Sequence, residues 1–231
     1  MAGSGQLVLD LPARPALGRA DFFVSPANAL ALAQVDAWPD WPARRLAVVG
    51  PAGAGKTHLV HVWAARSGAN VLAAADLGAI DPAAVPAAAA LAVEDADRLE
   101  ALPGAARRAA EEALFHLCNR LALSGSLMLT GRSAPALWPV ALPDLASRLR
   151  TAGVARLDSP DDALLSALLV KLFADRQIAV GPELIRYLLG RIERSFAAAE
   201  AAVVALDRAG LARKRPITLR LAAEVLSRDA D

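Results

Sequence analysis

Gly50-Pro51-Ala52-Gly53-Ala54-Gly55-Lys56-Thr57 stands between the apolar run Leu46-Ala47-Val48-Val49 and the stretch Thr57 to Arg66. The run before it predicts a buried parallel strand, and the stretch after it predicts a helix. Glycine-rich backbone and a helix N-terminus therefore meet at one point, where free N–H groups attract an anion. The glycines allow close backbone approach, the Lys56 ammonium is placed to reach β- and γ-phosphates, and the Thr57 hydroxyl can ligate magnesium. The set read from this stretch as nucleotide-binding is Gly50, Gly53, Ala54, Gly55, Lys56, Thr57 and His58.

The chain has 231 residues, 55% of them hydrophobic and 21% charged, enough for one sizeable core and a smaller satellite domain and unlike a disordered chain. Much of the apolar fraction is alanine, which fills helices more than it anchors cores. A net charge of +1 lacks the positive field of a dedicated DNA binder. The single cysteine, Cys118, can form no internal disulfide, and His58 and His61 have no carboxylate at a metal-ligand spacing. With no apolar run of the roughly 18 residues a membrane span needs, and no signal-peptide pattern, a reducing cytoplasm is the expected location.

Working outward, residues 1–15 read as a flexible tail, 16–158 as a nucleotide-binding core and 159–231 as a helical lid. Within the tail, Gln6-Leu7-Val8-Leu9-Asp10-Leu11-Pro12 alternates leucine with other residues. Such alternation suits an extended peptide docked on a partner, or an edge strand of the chain's own sheet; the pattern leaves both open. Further strands are expected at Asn70 to Ala74, Ala90 to Val93, Ser126 to Thr130 and Gly153 to Leu157, with helices over Asn28 to Val35 and Arg107 to Leu123. The alanine-rich Asp81 to Ala90 reads as a linker or short helix. Strands alternating with helices imply an α/β fold with a parallel sheet in three layers. Beyond Ser159, read as a helix cap with Pro160 in the first turn, helices are expected over Pro182 to Arg191, Ser195 to Ala209 and Thr218 to Ser227.

Glu94-Asp95 follows an apolar strand, so both carboxylates should emerge at the carboxyl edge of the sheet beside the phosphate loop. Glu94 is placed to orient the metal and Asp95 to position a water. Arg148, in Ala146-Ser147-Arg148-Leu149-Arg150, reads from pattern alone as a helix-end arginine paired with Asp144.

The loop running into His58-Leu59, the strand-end Glu94-Asp95 and the block Leu142-Pro143-Asp144-Leu145-Ala146-Ser147-Arg148-Leu149 together resemble the Hda family. These are AAA+ proteins homologous to the replication initiator DnaA that act as its regulatory inactivators. The resemblance runs from Phe22 to about Leu226. It implies an AAA+ core with an all-helical lid, bound ADP or ATP with Mg2+, and the DnaA initiator as partner. It also implies that Gln6, Leu7, Leu9 and Leu11 form a peptide for the β subunit of the DNA sliding clamp. The segment holding Phe23, Val24 and Asn28 resembles the adenine-binding stretch of the initiator family, and Arg148 falls on the arginine-finger position, acting in trans.

Three departures bear on catalysis. Glu94 stands where the family has aspartate, Arg132 stands at the sensor position after the fourth strand, and Ala197 replaces the nucleotide-sensing arginine of the lid. Weak or absent hydrolysis by the chain itself is therefore expected. No DNA-reading segment follows the lid stretch, so contact with DNA is expected only indirectly, and such a fold also allows a homodimer. The competing expectations are an autonomous ATPase of helicase-loader type and a non-catalytic module that sequesters DnaA.

Overall fold

The computed structural model describes residues 24–213 and 215–227; Gln6, Leu7, Leu9, Leu11 and Phe23 lie outside them. Strands β1 (Arg45–Val49), β2 (Asn70–Ala73), β3 (Ala90–Glu94), β4 (Ser126–Gly131) and β5 (Gly153–Arg156) pair in parallel in the order β2-β3-β4-β1-β5. Parallel neighbours need long crossovers. Helices α2 (Lys56–Ser67), α3 (Gly104–Arg120) and α4 (Pro143–Arg150) supply three of them, and α1 (Ala29–Asp36) precedes β1.

Successive side chains of a strand point to opposite faces, and here each face has its own core. Ala47, Val49, Leu91, Val93, Leu127 and Leu129 pack with Leu114, Leu117, Leu145 and Leu149 of α3 and α4. Leu46, Val48, Ala92, Met128 and Ala155 pack with Leu32, Val35, Leu59 and Trp63 of α1 and α2. Helices on both faces give the expected three layers. Burying a leucine or valine contributes about 1.5–3 kcal/mol, so these two interfaces outweigh the local helix propensity of any one element.

Helices α5 (Asp162–Asp175), α6 (Pro182–Leu189), α7 (Phe196–Arg213) and α8 (Leu219–Leu226) form a helical C-terminal part around Leu165, Leu169, Phe173, Leu188, Val203 and Leu206. Its entry differs from expectation. The cap of α5 is Asp161, whose Oδ1 accepts the Leu164 N–H at 2.7 Å, and Ser159 and Pro160 precede the helix. A full negative charge at the cap meets the helix dipole better than a hydroxyl does. Helix α7 also continues past Ala209, because Gly210 is buried close to Ile217 and the Arg215 carbonyl instead of ending the helix. The alanine-rich stretch after Asp81 is a short 3-10 turn, Pro82–Ala84, capped by Asp81.

Candidate functional site

Strand β1 delivers the glycine loop to the carboxyl edge of the sheet. Gly50 donates to the Gly131 carbonyl at 3.2 Å, and Leu157 donates to the Val49 carbonyl at 2.7 Å. A Cβ on Gly50 would lie 2.4 Å from the Leu157 carbonyl oxygen, so the close approach that requires glycine here is to β5's exit. Gly53 and Gly55 have φ of 71° and 94°, the left-handed region that glycine adopts without strain, and between them the Ala54 N–H donates to the Pro51 carbonyl at 3.3 Å. Ala54 is buried against the second core.

Lys56 opens α2, and its Nζ donates to the carbonyls of Gly50 and Pro51, both at 2.8 Å. Burial draws the Lys56 ammonium below the usual lysine value, while the carboxylates of Asp95 and Asp97 pull it the other way. A cation desolvated in this way gains from an added anion.

The acidic side of the site comes from β3. Asp95 has φ of 55°, and its N–H donates to Thr130 Oγ1 on β4 at 2.9 Å, which fixes the turn after Glu94. Asp97 Oδ2 accepts the Arg132 N–H at 2.7 Å, a second tie between the ends of β3 and β4. Glu94 Oε1 and Asp97 Oδ1 are buried without a hydrogen-bond partner. An unsatisfied buried acceptor costs about 1–3 kcal/mol, so two at one strand end mark a place that suits a cation or an added donor. Among the described residues no group of three or more His, Cys, Asp and Glu is arranged to hold a metal ion. Thr57 and Glu94 therefore fit magnesium only where phosphate oxygens and water complete its shell.

A cavity of about 440 Å³ lies over the loop. Gly53, Gly55, Lys56, Thr57, His58 and Asp95 line one side, together with Arg98 and Arg132. Lys171 and Asp175 of α5 and Phe196, Ala197 and Glu200 of α7 line the other. The helical part touches the loop directly, for the Phe196 N–H donates to the Gly53 carbonyl at 2.9 Å. A Cβ on Gly53 would come within 2.3 Å of Ser195 Cβ, and one on Gly55 within 3.3 Å of the Phe196 ring. Glycine at both positions thus serves the docking of α7 as well as the turn.

Of the loop and strand-end residues expected at the site, Gly50, Ala54 and Glu94 do not line this cavity, and two further sets of expected residues stand apart from it. Val24 is exposed, and Asn28 is buried with its Oδ1 accepting the Ser25 N–H at 2.9 Å in the turn that opens α1; neither lines the cavity. Arg148 is exposed in the last turn of α4. Its carbonyl accepts from Arg45 Nη1 at 2.7 Å, and Arg45 is the first residue of β1. The phosphate loop begins after the last residue of that strand, about 17 Å further on at the usual rise. Among the described residues Arg148 forms no ion pair, with Asp144 or any other carboxylate.

Asp97 and Arg98 lay within reach of sequence reading, two and three residues past Asp95 in one acidic strand end. Lys171, Asp175, Phe196 and Glu200 did not, since only the docking of α5 and α7 brings them across the loop.

No family model matches the chain. Among solved structures it is similar to domain III of the Thermotoga maritima replication initiation protein DnaA, with TM-score 0.77 and 17% identity over 94% of this chain and 98% of that one. It is also similar to AMPPCP-bound DnaA from Aquifex aeolicus, with TM-score 0.68 and 18% identity over 87% of this chain and 69% of that one. The chain has the AAA+ fold. Thermotoga maritima RuvB shares that fold more distantly, with TM-score 0.62 and 14% identity over 85% of this chain and 66% of that one. The five-stranded parallel sheet with a helical C-terminal part is thus the α/β AAA+ architecture expected from the sequence, in its DnaA-like form. No helix among the described residues is long and apolar enough to cross a membrane.

Proposed function

We propose that the chain is a regulatory AAA+ protein of the Hda type, which holds an adenine nucleotide in its own loop and acts in trans on ATP held by a DnaA initiator. The observation that carries this reading is the separation of Arg148 from its own phosphate loop. An exposed arginine without an ion pair among the described residues, whose carbonyl is held at the amino end of β1 and so away from the loop, supports a role toward a nucleotide on another molecule. Stabilising the charge that develops on a transferring γ-phosphate is the chemistry such a group supplies.

In its own site, Lys56 and the N–H groups of Gly53 and Gly55 would hold the phosphates. Bound magnesium would supply charge neutralisation there, with Thr57 and Glu94 toward it. Two similar DnaA structures, the one from Aquifex aeolicus among them, hold AMPPCP, which supports an adenine nucleotide as ligand. Ala197 presents no charge to the cavity, and Arg132 adds a cation where Asp95 lies, so poor turnover in cis is expected. Docking on the sliding clamp through Gln6, Leu7, Leu9 and Leu11 would bring Arg148 to the initiator.

The test is hydrolysis of ATP preloaded on the initiator, measured with the purified chain and DNA-loaded clamp. Arg148→Ala should abolish the stimulation and leave ADP binding intact; equal stimulation by that variant refutes the finger. A second reading, an autonomous ATPase, rests on Asp95 lying in the cavity with Lys56 and Thr57. Steady turnover independent of initiator and clamp would put that reading first.

A further inference from the structure

We infer that Arg45 and Thr151 are positioning residues for Arg148, fixing its peptide carbonyl and with it the direction in which its guanidinium leaves α4. The inference rests on the trans-acting reading of Arg148 given above.

The carbonyl of Arg148 accepts from Arg45 Nη1 at 2.7 Å, from the Thr151 hydroxyl at 2.8 Å and from the Thr151 N–H at 3.3 Å. Carbonyls in the last turn of a helix lack intrahelical partners and are often left to water. Here one of them meets three protein donors. Arg45 Nη1 also reaches Thr151 Oγ1 at 3.2 Å, so guanidinium, hydroxyl and carbonyl form a closed triangle.

Arg45 is only 3% exposed, and its second nitrogen donates to the Cys118 carbonyl in α3 at 3.1 Å. Among the described residues no carboxylate pairs with it. Burying a guanidinium without a counter-ion is costly, and the negative ends of the α3 and α4 dipoles offset that cost. The turn that feeds Arg45 into β1 is strained as well, since Ala43 and Arg44 both adopt positive φ, 48° and 56°. At the far end of the same helix, Glu111 accepts from the Ala141 N–H at 3.0 Å and the Leu142 N–H at 2.9 Å. Helix α4 is thus pinned at both ends, and the pin at its C-terminal end grips the carbonyl of Arg148 itself.

Ordinary helix capping would make these bonds matter for stability alone, and stimulated hydrolysis would then follow the folded fraction. A positioning role separates rate from folding, because a small misplacement of a charge-stabilising group lowers the rate of the chemical step at unchanged binding. Thr151 is exposed, so changing it leaves the core intact. Thr151→Val should lower the maximal stimulated hydrolysis of initiator-bound ATP about tenfold, with the half-saturating concentration, the melting temperature and ADP affinity unchanged. Thr151→Ser, which keeps the hydroxyl, should retain the parental rate. Arg45→Met should reduce the maximal rate further, about a hundredfold per folded molecule, with the folded fraction read from ADP binding.

Parental maximal rates for Thr151→Val, or equal losses for Thr151→Val and Thr151→Ser, overturn the positioning role while leaving the finger intact. Arg148→Ala measured in parallel separates the two ideas: full stimulation by that variant removes the finger reading itself and this inference with it.

Discussion

At its carboxyl end β1 runs into glycines and a lysine held by two loop carbonyls, and at the same edge of the sheet the end of β3 carries carboxylate oxygens buried without donors; at its amino end Arg45 has found an acceptor for both terminal nitrogens. The same five-residue strand therefore joins an unsatisfied edge to a satisfied one. Unspent polar groups suit a ligand that comes and goes, because the ligand supplies the missing partners. Fully spent groups suit a part that must keep its shape while presenting a side chain outward. Under the proposed function the nucleotide belongs to one edge and Arg148 to the other, and that contrast can be attacked from either side.

The largest effect is expected at the satisfied edge. Arg148→Ala should lower stimulated hydrolysis of initiator-bound ATP by about 10³-fold or more while calorimetry with ADP is unchanged. At the open edge, Lys56→Ala should weaken ADP binding by about 2 kcal/mol or more, roughly 30-fold, with the parental melting temperature in the absence of nucleotide retained. Loss of ADP binding in Arg148→Ala, or its retention in Lys56→Ala, would break the division between the edges.

Gly50→Ala probes the joint between β1 and β5. Its Cβ would come within 2.4 Å of the Leu157 carbonyl oxygen, so the backbone must shift, and thermal unfolding should report a loss of about 1–3 kcal/mol. Parental stability in that variant would show that the loop has slack.

The smallest effect is expected at Glu111. Burial by itself would raise its carboxyl, but Arg107 and the N–H groups of Ala141 and Leu142 hold it below the usual glutamate value. A depressed carboxylate adds stability above the unfolded value of about 4.3, and that contribution fades as pH falls through the lower folded value. Glu111→Gln should cost about 1 kcal/mol at neutral pH and show a flatter decline in stability on the acid side, read from melting temperatures across that range. An unaltered acid limb would mean that the contacts of Glu111 with α4's start carry no net weight.

The order of strands and helices was legible in the sequence because each signal there is local. Apolar runs of four or five residues, glycine spacing before Lys56-Thr57 and the acidic end of β3 all act within a few residues, and they place Lys56, Thr57 and Asp95 at one cavity. Helix entry was less legible, since Ser159-Pro160 and Asp161 both carry start signals and only the bond from Leu164 to Asp161 separates them. What tertiary structure decided was which distant groups meet. Nothing in the chain around Arg45 says that its guanidinium, 103 residues from Arg148, will take that residue's carbonyl. Nor does the neighbourhood of Phe196 announce that its N–H will close on the Gly53 carbonyl. Local sequence sets which conformation a segment prefers, whereas partners across the sheet are chosen by packing both faces of β1 at once, and that choice exists only in the folded molecule.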